Sequence, residues 1–509
     1  MEFLILTPPV VTPAEPPSGA FLLAAGLSGW GAEAGLLDLS LEFFSDLFKD
    51  AGDPQKVALA YIQHGRSGYD PVVHRSQAGH LHGYVSRFDE RYPGWKLTLM
   101  DVSPPGQIHC PDHLLTVFDN DEGPFRHIYR TVLVPALLAL KPKHVLVSVA
   151  YLSQLPAAVD LVRFLKSRGI TPMVGGSLIN SLSTTGHGFD AVAAVLPGLM
   201  VGDGRNLVNT HGAPLLTKLS YPKIVSDKPY FSRRPIVPFA LSSGCFWNRC
   251  LFCPDREMPY YTIPETAIAQ FVSSIPNEVM DKGVVLHLLD SAIPPGGLRR
   301  YLSVVKGADL CFFGFARPTR QLLKDGLLEK AAEGGCLMLQ LGVEGGSKRL
   351  LDRFEKGIDP VESETIVRAA AKLGIRTYLY LLFGLPGESN ADLQATYDFV
   401  VKNSDVCDFL NLSLFNLPRY CELMERRDEF GIDVLDFDGG EGIRLYRPFV
   451  SGNVDHRANA RVFLKGLRAN PLVRGAVLRT PRWFRASHLA LMDIPGRKRI
   501  AKAAEGSCR

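Results

Sequence analysis

The segment Leu241-Ser-Ser-Gly-Cys-Phe-Trp-Asn-Arg-Cys-Leu-Phe-Cys-Pro254 constrains this chain more than any other. It puts Cys245, Cys250 and Cys253 on one short stretch, where three thiolates can converge on a single centre. A disulfide takes two sulfurs, and a structural zinc site normally takes four ligands. Three cysteines suit a cubane iron–sulfur cluster with one iron left open, whereas most clusters are closed by four. Phe246, Trp247 and Phe252 around the thiols would exclude water and tune a redox centre. Two plainer readings stay open from the residues alone. One is three buried cysteines that happen to be neighbours; the other is a zinc knuckle completed by a distant residue.

The other six cysteines (Cys110, Cys311, Cys336, Cys407, Cys421 and Cys508) are scattered, which is not a disulfide framework and points to a reducing, cytoplasmic setting. The length of 509 residues allows two or three domains with real cores. With 46% apolar and 21% charged residues, the composition is that of a folded globular protein. A net charge of +4 is too small to argue for nucleic acid as a partner. No apolar run reaches the roughly 18–20 residues that span a bilayer, so no membrane span is expected. The opening Met1-Glu-Phe-Leu-Ile-Leu-Thr7 lacks a basic n-region and reads as a strand, not a signal peptide.

In chain order, Phe3 to Thr7 reads as a buried parallel strand stopped by Pro8-Pro9, Gly19 to Ser28 as a helix, and Ala34 to Leu39 as a second strand. This is the start of a Rossmann-like, doubly wound parallel sheet, expected over residues 1–225. Residues 41–125 show no sustained period and are expected to form an irregular insertion with one or two helices. Its histidines (His64, His74, His80, His82, His109, His113) have no metal-ligand spacing. The sheet resumes with the strand His144 to Ala150 and the helix Leu155 to Arg168, capped by Gly169. The strand Thr171 to Val174 and a further apolar run, Asp190 to Leu196, follow. Gly175-Gly176 would let backbone approach a large flat ligand.

After a turn-rich boundary, helical and strand patterns alternate over 236–430 as about six β/α units, a partial (β/α)6 TIM-type barrel. Its strands run Pro238–Ser242, Val284–Leu289, Leu310–Phe315, Cys336–Val343, Arg376–Leu382 and Phe409–Phe415. Its helices include Gln321 to Glu333 and Ala391 to Val401. Reacting groups in such barrels sit at the carboxyl ends of strands, where Asp290, Arg317 and Glu344 fall. Residues 431–509 are expected to be a small, mostly helical region. From Arg457 onward, Arg457, Arg461, Lys465, Arg468, Arg474, Arg479, Arg482, Arg485, Arg497, Lys498, Arg499, Lys502 and Arg509 face only Asp493 and Glu505. Either a solvated face or a surface for an acidic partner or substrate accounts for them.

The cysteine loop resembles that of the radical S-adenosylmethionine (radical SAM) superfamily, which normally places three residues between its first two cysteines. Here Phe246, Trp247, Asn248 and Arg249 make four. The resemblance implies a [4Fe–4S] cluster on Cys245, Cys250 and Cys253. It implies S-adenosyl-L-methionine (SAM) held by Phe252 near the adenine, Asp290-Ser291 at the methionine amino group, Arg317, Glu344, and the glycine-rich Gly384 and Gly387. It also implies reductive cleavage to a 5′-deoxyadenosyl radical, with an electron donor such as flavodoxin or ferredoxin. The N-terminal half is similar to the cobalamin-binding domain that precedes the core in many members, through Pro9, Ser148, Tyr151, Gln154, Gly175 and Gly176. It lacks Asp-x-His-x-x-Gly, whose histidine ligates cobalt. Methylation of an unactivated carbon is the activity this implies, on a small-molecule or peptide substrate. The alternatives are a radical SAM maturase that rearranges or cross-links its substrate beside a vestigial N-terminal domain, and a non-catalytic iron–sulfur protein.

Overall fold

A computed structural model of the chain describes residues 1–65, 70–106, 108–117, 123–186, 188–436 and 442–480. The expected basic residues from Arg482 onward, with Asp493, Glu505 and Cys508, lie outside them.

The N-terminal sheet has five parallel strands in the order Met173–Gly175, His144–Ser148, Phe3–Thr7, Ala34–Asp38, Lys223–Ile224. Phe-Leu-Ile-Leu-Thr is buried at every position because both faces of the strand are covered. Leu4 and Leu6 enter one core, Phe3 and Ile5 the other. The strand order reverses between Phe3–Thr7 and His144–Ser148, which makes the loops after these strands the crevice of the sheet.

A sequence expectation is corrected here. Segment 41–125 is mainly helical and not irregular: helices Leu39–Lys49, Asp53–His64 and Pro71–Val85 dominate it. Asp38 and Asp70 cap two of them by accepting backbone N–H groups. Their apolar positions are shared with the distant residues Trp95 and Phe125, so no single helix period shows. The apolar run Asp190–Leu196 forms the helix Phe189–Val195.

The second half is a six-stranded parallel sheet in simple sequential order: Ile236–Phe239, Val285–Leu288, Cys311–Ala316, Cys336–Glu344, Arg376–Phe383, Phe409–Leu414. The Gln321–Glu333 helix is broken. Two 3₁₀ turns precede a short helix, Leu327–Glu333, because Asp325 and Gly326 take left-handed φ values. Alternation divides the strands. Leu286, Phe312, Leu339, Leu379 and Leu410 face the outer helices. Val285, Phe313, Met338, Tyr378 and Phe409 face inward and join the core beneath the N-terminal sheet. The N-terminal half thus stoppers the lower end of the barrel, each large side chain contributing about 1.5–3 kcal/mol.

The C-terminal helices His456–Ala469 and Pro471–Arg479 pack on the outer core through Leu464, Leu467 and Val473. Two small antiparallel pairs precede the helices, Leu417–Pro418 with Tyr446–Arg447 and Ile432–Val434 with Phe449–Ser451. They enclose a third apolar cluster around Leu251 in the cysteine loop.

Candidate active site at the carboxyl edge of the barrel

The first barrel strand delivers the cysteine loop. Ser242–Ser243 pairs with Tyr261–Thr262, and Gly244 (φ 71°) turns the chain against Pro259, whose carbonyl a Cβ would meet at 2.8 Å. The additional residue between the first two cysteines is accommodated with Asn248 at φ 40°, a region asparagine tolerates. Cys245, Cys250 and Cys253 are all unpaired thiols, close enough to feel one another's charge. Burial pushes the Cys253 thiol up to about 12 and raises Cys250 as well. Among the described residues no three His, Cys, Asp or Glu side chains are placed to hold a single metal ion. A cubane sets a different requirement, one thiolate on each of three irons.

A cation covers the sulfurs. Arg317 is 4% exposed, and its Nη1 lies 3.8 Å from Cys250 Sγ. Its Nη2 donates to the carbonyls of Lys356 and Gly357, while its Nε is buried without a partner. Burial lowers the guanidinium's pKa and the nearby thiols oppose that shift. Trp247 lies against the guanidinium at 4.5 Å and donates from Nε1 to Glu355 O at 2.8 Å. Gly357 leaves the space its ring fills. The donor set therefore fits an anionic, water-poor centre.

Glu344 follows a register shift between Gly342 and Glu344 and sits at φ 62°, a conformation uncommon outside glycine that clusters at functional sites. Its Oε1 accepts from Lys356 Nζ at 2.7 Å, with the two side chains 14% and 7% exposed. Lys356 carries no sequence signal of this role, since its burial arises only when the Glu355–Gly357 turn folds under Arg317. A narrow cleft runs from Phe252 past Glu344, Ser347 and Leu382 to Leu385 and Glu388. Burial raises Glu388 to about 7 although Gly384 N–H donates to it at 2.6 Å. Apolar walls with carboxylates at one side suit a nucleoside.

Other expected contacts are turned elsewhere. Asp290 is 3% exposed and accepts Leu241 N–H at 3.0 Å and Ser242 Oγ at 2.6 Å, so both oxygens hold the cysteine loop to the second strand. Burial raises it to about 6. Ser291 is exposed and donates to Asp255. Gly384 (φ 81°) makes room for the backbone of Arg457, and Gly387 (φ 73°) for the Arg353 guanidinium.

At the N-terminal sheet the expected residues are largely spent on the protein itself. Gln154 is fully buried; its Oε1 accepts from Ala150 N and Tyr151 N, and its Nε2 donates to Pro8 O at 2.7 Å. It bridges the two loops of the crevice. Gly176 (φ 114°) abuts the Val149 backbone, whose nitrogen a Cβ would meet at 2.7 Å, and Gly175 faces Met200 O at 3.1 Å. On this side the glycines serve chain packing. Pro9 and Ser148 are buried, while Tyr151 is exposed at this edge. The Thr7 hydroxyl, at the end of the first strand, is buried with no partner.

Residues 240–400 match the family model "Radical SAM superfamily", so this part of the chain is a radical SAM domain. The chain is 36% identical over 70 residues to an uncharacterized methyltransferase of Pyrococcus horikoshii, and 29% identical over 120 residues to the bacteriochlorophyllide d C-12(1)-methyltransferase of Chlorobaculum tepidum. These stretches cover 14% and 23% of this chain, and 15% and 26% of the two relatives. In fold, the chain is similar to the cobalamin-dependent radical SAM enzyme OxsB (TM-score 0.54, 13% identity), over 91% of this chain and 66% of that one. It is similar to the radical SAM methyltransferase TsrM of Kitasatospora setae (TM-score 0.51, 15% identity), over 96% and 99%. Both fold similarities take in the N-terminal sheet and the barrel together. No helix among the described residues is long and apolar enough to cross a membrane.

Proposed function

We propose that this protein is a radical SAM enzyme that methylates an unactivated carbon with the aid of cobalamin. The observation that carries the reading is the buried Arg317–Lys356–Glu344 set against the three free thiols, at the strand ends where such a barrel does chemistry. When bound, a [4Fe–4S] cluster supplies the electron that cleaves SAM, and cobalamin supplies the methyl group. Cys245, Cys250 and Cys253 would hold the cluster. The cleft beside Phe252 and Glu344 would hold the nucleoside, with Arg317 Nε left for the carboxylate of SAM. Asp290 acts by fixing the loop. OxsB and TsrM, with the same architecture, are described as cobalamin-dependent or cobalamin-bound, which supports the corrinoid here. Trp247 and the apolar cluster around Leu251 exclude water from the thiols.

The second reading, a radical SAM maturase without methyl transfer, is favoured by one feature. Gln154 ties the two loops of the N-terminal crevice to each other, and Gly176 packs against the Val149 backbone. The test is anaerobic reconstitution of the full chain. About four irons per chain, 5′-deoxyadenosine or methyl transfer from SAM, and retained cobalamin support the first reading. Cys245→Ala, Cys250→Ala and Cys253→Ala should each abolish the iron. SAM turnover without retained cobalamin selects the second reading, and a triple variant that still binds the cluster overturns both.

A further inference from the structure

A histidine on the second barrel strand joins the two halves. His287 lies in Val285–Leu288 with its neighbours Leu286 and Leu288 on the outer face, so it points into the barrel. Its Nδ1 is 3.0 Å from both carboxylate oxygens of Glu15, which comes from the loop after the first strand of the N-terminal sheet. The side chains are 11% and 13% exposed, and the imidazole stacks on Phe313 at 4.4 Å. A carboxylate at Nδ1 selects the tautomer protonated there, which leaves a lone pair on Nε2. No protein group among the described residues bonds Nε2, and it is not sealed from solvent.

The inner face around it changes character with height. The lower row, Val285, Phe313, Met338, Tyr378 and Phe409, is closed by the N-terminal half. The next row holds His287, Phe315, Gln340, Tyr380 and Asn411, of which Phe315, Tyr380 and Asn411 are only half-buried. Phe315 and Tyr380 meet edge to face at 5.3 Å. A Cβ on Gly342 would meet the Phe315 ring at 2.7 Å and Glu344 Oε1 at 3.1 Å, so this aromatic wall stands directly beside the candidate SAM cleft.

We propose that this row is the acceptor site and takes a planar aromatic molecule bearing an acidic O–H or N–H, with His287 as a catalytic base and Glu15 as its positioning residue. That the molecule bound here is the methyl acceptor rests on the function proposed above; the binding and the proton transfer do not. The heteroatom–hydrogen bond breaks, the proton moves to Nε2, and the bonding pair stays on the heteroatom. The bound molecule becomes an electron-rich anion, with no change of oxidation state. Phe315 and Tyr380 supply the stacking surface, and Gln340 and Asn411 the polar contacts.

The probe is 4-nitrophenol, titrated by difference absorption into the reconstituted full chain about one unit below the probe's own pKa. Wild-type protein should bind it saturably with growth of the phenolate band. His287→Gln should lose that band and bind at least tenfold more weakly, and Glu15→Gln should lose part of it. An equal band and affinity in His287→Gln, or no saturable binding by the wild type, overturns the proposal. As a check independent of any variant, ¹⁵N-histidine spectra of the wild type should show His287 protonated at Nδ1; an Nε2–H tautomer with a bare Nδ1 overturns it. Iron content and SAM cleavage are measured on the same samples. Their loss would sink the enzymatic reading while the titration still decides the dyad.

Discussion

The two parallel sheets of this molecule each present a carboxyl edge where ligands bind in folds of their kind, yet the two edges use their polar residues in opposite ways. At the barrel edge, groups are gathered and left incompletely satisfied: three unpaired thiols, a buried guanidinium Nε without a partner, and an ion pair opening on a cleft. At the N-terminal edge the polar groups satisfy the chain, with Gln154 tying Pro8 to Ala150 and Tyr151 across the crevice. Position at a strand end therefore marks a place for a ligand only when the protein has not already used the donors. A ligand entering the N-terminal crevice has to meet what remains, the Thr7 hydroxyl and the exposed Tyr151.

The sharpest way to break this comparison is at the Glu344–Lys356 pair. Removing one member of a buried pair leaves the other charge uncompensated, which costs roughly 3–5 kcal/mol. Glu344→Ala and Lys356→Ala should each weaken SAM binding by about tenfold or more, about 1.4 kcal/mol per tenfold, with iron content retained. The double variant should lose less than the sum, because the partners share one interaction. Calorimetric titration of SAM into reconstituted protein checks this. Unchanged affinity in all three would place the cofactor elsewhere on the barrel.

The cysteine loop, the six barrel strands and their order could be read from the chain because each signal is local: sulfur spacing, short apolar runs and glycine-marked turns. The roles of single polar residues could not. Asp290 reads as a ligand at a strand end but caps the loop from within, because Leu241 N–H and Ser242 Oγ converge on it across 48–49 residues of sequence. Lys356 and His287 were invisible for the converse reason. A lysine in a Glu-Lys-Gly turn reads as surface, and a histidine between two leucines reads as core. Their function depends on Glu344 and Glu15, and Glu15 is 272 residues from its partner. The helical character of 41–125 was hidden because its core contacts come from elsewhere in the chain.

The second prediction concerns the other edge. Gln154→Ala removes three hydrogen bonds, one buried and two part-buried, and strands the Pro8 carbonyl and two N–H groups, each worth about 1–3 kcal/mol when left unmet. Partial hydration of the crevice should reduce the net loss to roughly 2–3 kcal/mol in denaturant unfolding. SAM affinity should stay as in the wild type. A loss of SAM affinity with little loss of stability would reverse the contrast between the edges.

The smallest effect lies in pH. Asp38 ends the second strand of the N-terminal sheet, caps helix Leu39–Lys49 through Ser40 N and Leu41 N, and is raised to about 7 by burial. Its unfolded value is near 3.9. Between these values the folded state binds the proton that the unfolded state has released, so stability falls as pH rises from about 4 to about 7. Above that range the penalty stays constant. Asp38→Asn keeps an acceptor oxygen for the cap and cannot ionise, so it should remove this slope and gain roughly 1–2 kcal/mol at pH 8. Glu388, raised to about 7 at the barrel edge, adds a slope of the same sign that Asp38→Asn leaves in place. Unfolding free energies at pH 5 and pH 8 for wild type and variant separate the two contributions. If the variant keeps the full wild-type difference, the charge at Asp38 is already compensated in the fold, and the N-terminal edge carries less electrostatic strain than its burial implies.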